Sequence, residues 1–159
     1  MPNPTRSSAP AGSVVARNPK ARHDYHILET WEAGLVLTGT EIKSVRAGKV
    51  SLKEAFGVVH RGEVWLDAMT ISPYHSAGYV NHEPVRRRKL LLHAREIRRL
   101  IGSVEQKGLT LVPLDLHFSR GRAKVTLALA QGKKQYDKRE DAKRRDADRE
   151  AARAVGRRR

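Results

Sequence analysis

The stretch TLVPLDLHFSRGRAKVTLAL, from Thr110 to Leu129, alternates apolar and polar side chains on two arms joined by one short turn. Val112, Leu114, Leu116 and Phe118 alternate with Pro113, Asp115 and His117, and Val125, Leu127 and Leu129 alternate with Lys124 and Thr126. Successive side chains of a strand point to opposite faces, so this period of two predicts a long hairpin with one apolar face. The turn is SRGR, where Gly121 is free to take positive φ. Pro113 cannot donate to a ladder and is expected on an edge or at a bulge. A hairpin of this kind must find further strands or helices to cover its apolar face.

The rest of the chain supplies them. A second hairpin is predicted from EAFGVVH and EVWLDAMTIS around Arg61-Gly62. In NPKARHDYHILETWEAGLVL an extended run starts near Asn18, with Tyr25, Ile27 and Trp31 on one side and His26, Leu28 and Thr30 on the other. Gly34 suggests a bulge or bend in it. TGTEIKSVRAGK reads as a short helix with Thr40 as cap, Glu41 in the first turn, Ile42 and Val45 on one face and Gly48 as stop. SPYHSAGYVNHEPV is a loop, and RRRKLLL suits a short strand. AREIRRLIGSV places Ile97, Leu100, Ile101 and Val104 at helical spacing. Antiparallel hairpins with helices between them give a mainly β fold with helices. A small OB-type antiparallel β-barrel flanked by two or three short helices fits best, and an open α+β sandwich is the alternative. Residues 1–17, rich in Pro, Ser, Ala and Gly, are expected to be a disordered N-terminal segment, residues 18–131 the barrel, and residues 132–159 a tail outside the core.

Charge narrows the partner. Lys and Arg number 32 against 17 Asp and Glu, a net +15, and such self-repulsion favours a polyanionic ligand. The absence of cysteine excludes disulfides and thiol chemistry. No apolar run reaches the ~20 residues that span a bilayer, and MPNPTRSSAPAGSVVAR lacks a signal-peptide core. The chain reads as cytoplasmic, with no membrane contact. Its 7 histidines fall in loops or on alternating strand positions. His23 and His26, read as extended, face opposite ways rather than toward one metal. No phosphate-binding glycine loop and no nucleophile elbow occurs. Glu29 and Glu32 could pair as acids, yet nothing places a substrate between them. The chain is therefore read as having no enzymatic activity, no metal and no cofactor.

The cations cluster. Arg86 to Lys89, RRRK, precede an apolar LLL and can be read either as a solvated loop or as phosphate contacts. Arg98 and Arg99 join them on a helix, Arg120 and Arg122 at a hairpin tip, and Lys20 and Arg22 where the barrel begins. Aromatic residues are only 5% of the chain. Trp31, Phe56, Trp65 and Phe118 look like core, leaving Tyr25, Tyr74, Tyr79 and Tyr136 to stack on bases. That poverty favours recognition of a folded RNA's shape and backbone over reading of single-stranded sequence.

The tail GKKQYDKREDAKRRDADREAARAVGRRR has almost nothing to bury. As a helix it brings Lys134, Lys138, Arg145, Arg149, Arg153 and Arg157 within about 140° of arc. Asp137, Asp141 and Asp148 gather on one flank, and Glu140–Arg144 and Asp141–Arg145 have favourable spacing. Without an apolar face, such a helix is marginal in water and is expected to form on a polyanionic surface.

Taken in order, TGTEIKSVRAGK, RKLLLH and GKKQYDKR closely resemble the bacterial small protein B family, the SsrA-binding proteins (SmpB). The resemblance implies an OB-type barrel, no enzymatic activity and no cofactor. It further implies binding to the tRNA-like domain of transfer-messenger RNA and its delivery to 70S ribosomes stalled in translation. On this view the protein is a monomer, and its C-terminal tail, disordered when free, becomes helical on small-subunit rRNA in the decoding site and empty message channel. The implied RNA-binding positions are Asn18, Lys20, Arg22, Tyr25, Glu32, Lys43, Arg46, Leu91, His93 and Lys124. The implied decoding-site positions are Gly132, Lys133, Lys134, Tyr136, Asp137, Lys138 and Arg139. His93 stands where relatives often have Asn, a better helix cap, and Tyr136 where some have His. The alternative function is a general ribosome- or RNA-associated protein built on the same barrel and tail.

Overall fold

A computed structural model describes residues 14–75, 81–105 and 108–157. The chain runs β1 (Val14–Arg17), α1 (Pro19–Asp24), β2 (Tyr25–Leu35), α2 (Gly39–Arg46), β3 (Val50–Ser51), β4 (Phe56–His60), β5 (Glu63–Asp67), β6 (Thr70–Ile71), β7 (Arg88–Leu91), α3 (Ala94–Val104), β8 (Leu109–Ser119), β9 (Arg122–Gly132) and α4 (Gln135–Arg157). Six antiparallel strands pair in the order β8-β4-β5-β7-β2-β9, and β9 returns to β8 to close the ring. This is an OB-like small barrel, as expected, and not an open sandwich. β1 adds to the free edge of β8, pairing Arg17 with Asp115. Val14–Arg17, ahead of Asn18, thus form a strand. Residues 1–13 of the expected disordered segment lie outside the described residues, as does Tyr79.

Both hairpins form where alternation places them. Arg61 and Gly62 have φ of 50° and 75°, and Arg120 and Gly121 of 52° and 75°. Two successive positive values match the right-handed twist of the strands they join. A short helix precedes β2, however. Pro19 at its first position and a buried Ala21 make α1, so His23 is helical rather than extended.

Strict alternation also fails at two points within the closed ring, and the failures shape the surface. β8 shifts register between Pro113 and Asp115, and β2 between Ile27 and Glu29. Each extra residue turns the following side chains to the other face. Leu116, Phe118, Trp31 and Ala33 consequently point into the main core, with Leu66, Leu90, Leu100 and Val125. Val112, Leu114, Tyr25 and Ile27 point outward instead, to a second cluster with Ala21, Ala128 and Ala130. The small side chains at 128 and 130 let α1 approach the strands closely. No register shift occurs at Gly34, where a bulge was expected. Gly34 pairs with Leu91 of β7 and Lys124 of β9, and a Cβ there would stand 3.3 Å from the Leu91 Cβ.

A candidate nucleic-acid interface

The densest run of cations is the least available. Arg88 and Glu41 are both fully buried, with side chains 0% exposed. Arg88 donates its Nε to Glu41, its Nη1 to the carbonyls of Met69 at 2.7 Å and Arg86 at 3.0 Å, and its Nη2 to those of Pro84 at 3.1 Å and Glu83 at 3.3 Å. Arg86 reaches the same carboxylate, and the Thr38 N–H donates to it at 2.9 Å as part of a capping box. Burial alone would raise the Glu41 pKa, but these donors outweigh it and hold the carboxyl at about 2, below the ordinary 4.5. Arg87 forks onto Asp67 at 2.7 and 2.9 Å, and Lys89 pairs with Glu63 at 3.0 Å. The cluster therefore ties α2 and β5 to β7, so a solvated loop does not describe it, and each of its cations already has a carboxylate partner. Helix phase offered a hint, since Glu41, Ser44 and Val45 share one face and all are buried. Thr38, not Thr40, is the cap.

The expected RNA-binding residues divide between two ends of the barrel. At one end lie the α1 residues. Lys20 and Arg22 are exposed and Tyr25 is half-buried, whereas Asn18 is buried, its Nδ2 donating to the carbonyls of Pro113 at 3.0 Å and Leu52 at 3.3 Å. Asn18 thus fastens α1 to the barrel. It also lines a cleft of 240 Å³ with Lys20, Tyr25, Lys53 and Phe56. Phe56 is 42% exposed, not a core residue, and sequence reasoning missed it. Its FG dipeptide was a signal: Gly57 takes the position against β8 where a Cβ would meet Leu111 at 2.6 Å.

The tail leaves from this same end. Gly132 pairs with Tyr25, and the Lys133 N–H donates to the Asp24 carbonyl at 2.8 Å. The Lys133 Nζ donates to the Arg22 carbonyl at 3.0 Å and pairs with Asp141, and Lys138 lies 3.3 Å from Asp24. Asp141 thus pairs with the tail's own root instead of Arg145, and the Lys133 ammonium lowers its pKa. Lys134 and Arg139 are exposed, and Tyr136 and Asp137 lie in the first turn of α4.

At the other end, about seven residues or 23 Å along β2, three strands bring Leu91, Glu32 and Lys124 side by side. Lys124 and Leu91 both oppose Gly34, and Glu32 opposes Thr126. Leu91 is 53% exposed. His93 caps α3 just beyond it, and its N–H donates to the Glu96 carboxylate at 3.0 Å, so the cap forms with His in this position. His117, opposite Lys124 on β8, is buried between Asp115 and Glu32. Alternation placed it on the polar face, and its burial was not foreseen. Glu29 and Glu32 do not act together: Glu29 pairs with Arg99 at 3.1 Å, and Glu32 faces His117. Among the described residues no three ligating side chains gather as a metal site.

Lys43 and Arg46 of α2 sit over the Tyr74 and Phe118 rings, 5.4 and 5.6 Å from their centroids. Both cations are exposed beyond the rings that hold them. No described helix is long and apolar enough to cross a membrane.

Fold and surface together define a small OB-like barrel with exposed cations at both ends and a basic helical extension. The family model described as SmpB protein matches residues 15–157. The SsrA-binding protein of Bacillus cytotoxicus is 58% identical over 144 residues, covering 91% of this chain and 93% of that one. Its counterpart in Acidothermus cellulolyticus is 59% identical over 145 residues, 91% of each chain. A solved structure described as "tmRNA-SmpB: a journey to the center of the bacterial ribosome" contains a chain 57% identical, with a TM-score of 0.64 over 76% of this chain and 85% of that one. The chain belongs to the SmpB family.

Proposed function

We propose that the protein is the RNA-binding factor of trans-translation, a binding factor and not an enzyme. It binds the tRNA-like domain of transfer-messenger RNA, brings it to stalled ribosomes and lays its tail in the decoding site and empty message channel. The observation that carries this reading is a family match running through barrel and tail alike, from residue 15 to residue 157. A relative of 57% identity is described by name with tmRNA and the bacterial ribosome. The excess of cations suits both partners, because phosphate neutralisation releases counterions and drives association. The protein works in the bacterial cytoplasm as a monomer and needs no cofactor.

The division of labour follows the two ends. Glu32, Leu91, His93 and Lys124 form one RNA-binding patch. Lys20, Arg22 and Tyr25 form a second, with Asn18 holding α1 in place, and Lys43 and Arg46 extend the basic surface. Gly132, Lys133, Lys134, Tyr136, Asp137, Lys138 and Arg139 engage the decoding region. The tail folds conditionally: most of the described α4 side chains are exposed, and Lys138 pairs with Asp24 of α1 near its start, so beyond that root its helix depends on a polyanionic surface.

Ending the chain at Gln131 tests the division. The truncated barrel should bind transfer-messenger RNA tightly yet fail to support tagging of nascent chains on stalled ribosomes. Normal tagging would remove the tail from the mechanism. RNA copurified with the full chain separates the alternative: one species with a tRNA-like end supports trans-translation, and mixed rRNA and tRNA support general ribosome association.

A further inference from the structure

Under the Glu32–Lys124 patch runs a chain of hydrogen-bonding side chains across three strands. Thr126 on β9 opposes Asp115 on β8, and its Oγ1 donates to Asp115 Oδ1 at 2.9 Å. The same oxygen lies 2.7 Å from Nδ1 of His117. The far side of that ring, Nε2, lies 3.4 Å from Oε2 of Glu32 on β2. The ring is the buried member: the His117 side chain is 4% exposed, and the carboxylates on either side of it are 25% (Asp115) and 32% (Glu32) exposed. The three acid and imidazole groups do not converge on a common point as metal ligands do. Instead the buried ring stands between two part-exposed carboxylates, one of which, Asp115, is fixed by a hydroxyl.

The arrangement bears on what Glu32 can do. A carboxylate on a face that meets phosphate is repelled by the polyanion unless something holds it there. Ionised, it can only accept hydrogen bonds, so its useful partners on RNA are donors: a ribose 2′-hydroxyl or a nucleobase N–H. A glutamate loose at the surface loses rotamer entropy each time it takes up one geometry. A ring buried beneath it and anchored at its other end supplies that geometry in advance.

We propose that His117 and Asp115 are positioning residues for RNA recognition. They hold the Glu32 carboxylate as an acceptor for a sugar hydroxyl or base N–H while Lys124, on the neighbouring strand, takes an adjoining phosphate. The proposal rests on the RNA-binding reading of this face. Lys124 then contributes salt-dependent affinity, and Glu32, through His117, contributes discrimination between RNA and a featureless polyanion.

A double-mutant cycle on the full chain tests it, using the isolated tRNA-like RNA domain as probe and thermal unfolding to check each variant. Glu32→Gln should weaken binding about tenfold, the size expected for a hydrogen bond to a charged group. His117→Leu should weaken it by a similar factor in the otherwise unchanged chain, but by less than about twofold once Glu32 is Gln. Asp115→Asn should show the same dependence on Glu32 at smaller amplitude, and it keeps the test alive if His117→Leu does not fold. His117→Leu and Asp115→Asn should leave the salt dependence unaltered, whereas Lys124→Ala should lower its slope by about one. Losses at His117 that are equal with and without the Glu32 carboxylate, or no loss in folded protein, would overturn the proposal. An unmutated chain that does not bind the tRNA-like RNA would overturn the RNA-binding reading itself. Tight binding with an additive cycle overturns only the positioning role.

Discussion

Strands β7 and β9 flank β2 on either side, and they carry opposite lessons about positive charge. Before and into β7 come four consecutive cations, Arg86 to Lys89, each matched by a carboxylate of the fold: Glu41 for Arg86 and Arg88, Asp67 for Arg87 and Glu63 for Lys89. On the outer face of β9 stands Lys124, with no carboxylate paired to it among the described residues. A polyanion meets the charge left over after internal pairing, and local density of Lys and Arg is a poor guide to that remainder. The same sum holds for the whole chain, since a net +15 says that many cations lack internal partners but not which.

The strongest test of the β7 side removes its shared anion. Glu41→Gln leaves Arg88 buried without a counter-charge, and breaking a buried pair from one side costs about 3–5 kcal/mol. Chemical denaturation should show that loss, and RNA affinity measured below the melting temperature should keep its salt slope. A loss under 1 kcal/mol would mean that the carbonyls around Arg88 suffice without the carboxylate. Acid provides the same test without mutation. Because the Glu41 pKa is lowered in the folded state, from 4.5 to about 2, its contribution is fully present above about 4.5 and is lost as pH falls through about 2. The loss amounts to roughly 3 kcal/mol. Glu41→Gln should flatten the acid limb over that window, and an unchanged limb would assign acid sensitivity to other carboxylates.

The β9 side is broken by charge reversal. Lys124→Glu should leave the melting temperature nearly unchanged, since the residue is outside both apolar clusters. Binding to the tRNA-like RNA should weaken by at least about tenfold, with a shallower dependence on salt. Unchanged affinity and slope would take Lys124 out of the interface and leave the patch to its polar neighbours.

The contrast also explains what could be read from residues alone. Hairpins were legible because period two and the turns Arg61-Gly62 and Arg120-Gly121 are local signals, and α3 because Ile97, Leu100 and Val104 repeat at helical spacing against one core. The two bulges were not legible in full. Pro113 announced one, but nothing in Ile27–Glu29 announces the other, and each reassigns the side chains beyond it to another face. Tyr25 and Ile27 thereby left the barrel interior for the surface beneath α1. The pairing of Arg88 with Glu41 spans 47 residues and joins a helix to a strand, so only the closed barrel reveals it. Of the residues implied by family resemblance, Lys20, Arg22 and Tyr25 lie at one end, Glu32, Leu91, His93 and Lys124 at the other, Lys43 and Arg46 on α2, and Asn18 is buried. His117 and Phe56 escaped notice because alternation reports a side chain's face and not what covers it.

The smallest expected effect sharpens the comparison most, because it separates charge count from charge availability. Arg87 is the most exposed cation of the β7 group, 46% by side chain, and its forked pair with Asp67 lies at the surface. Exposed pairs contribute about 0–1 kcal/mol, so Arg87→Ala should cost less than that in stability. Its effect on RNA affinity separates the two views. Were density in the sequence the relevant quantity, deleting one of four adjacent cations should weaken binding as much as deleting Lys124. With Asp67 already neutralising the guanidinium, the loss should stay within about twofold, close to zero on the free-energy scale that sets affinity. A tenfold loss would show that Arg87 exchanges Asp67 for a phosphate on binding, and the β7 edge would then belong to the interface after all.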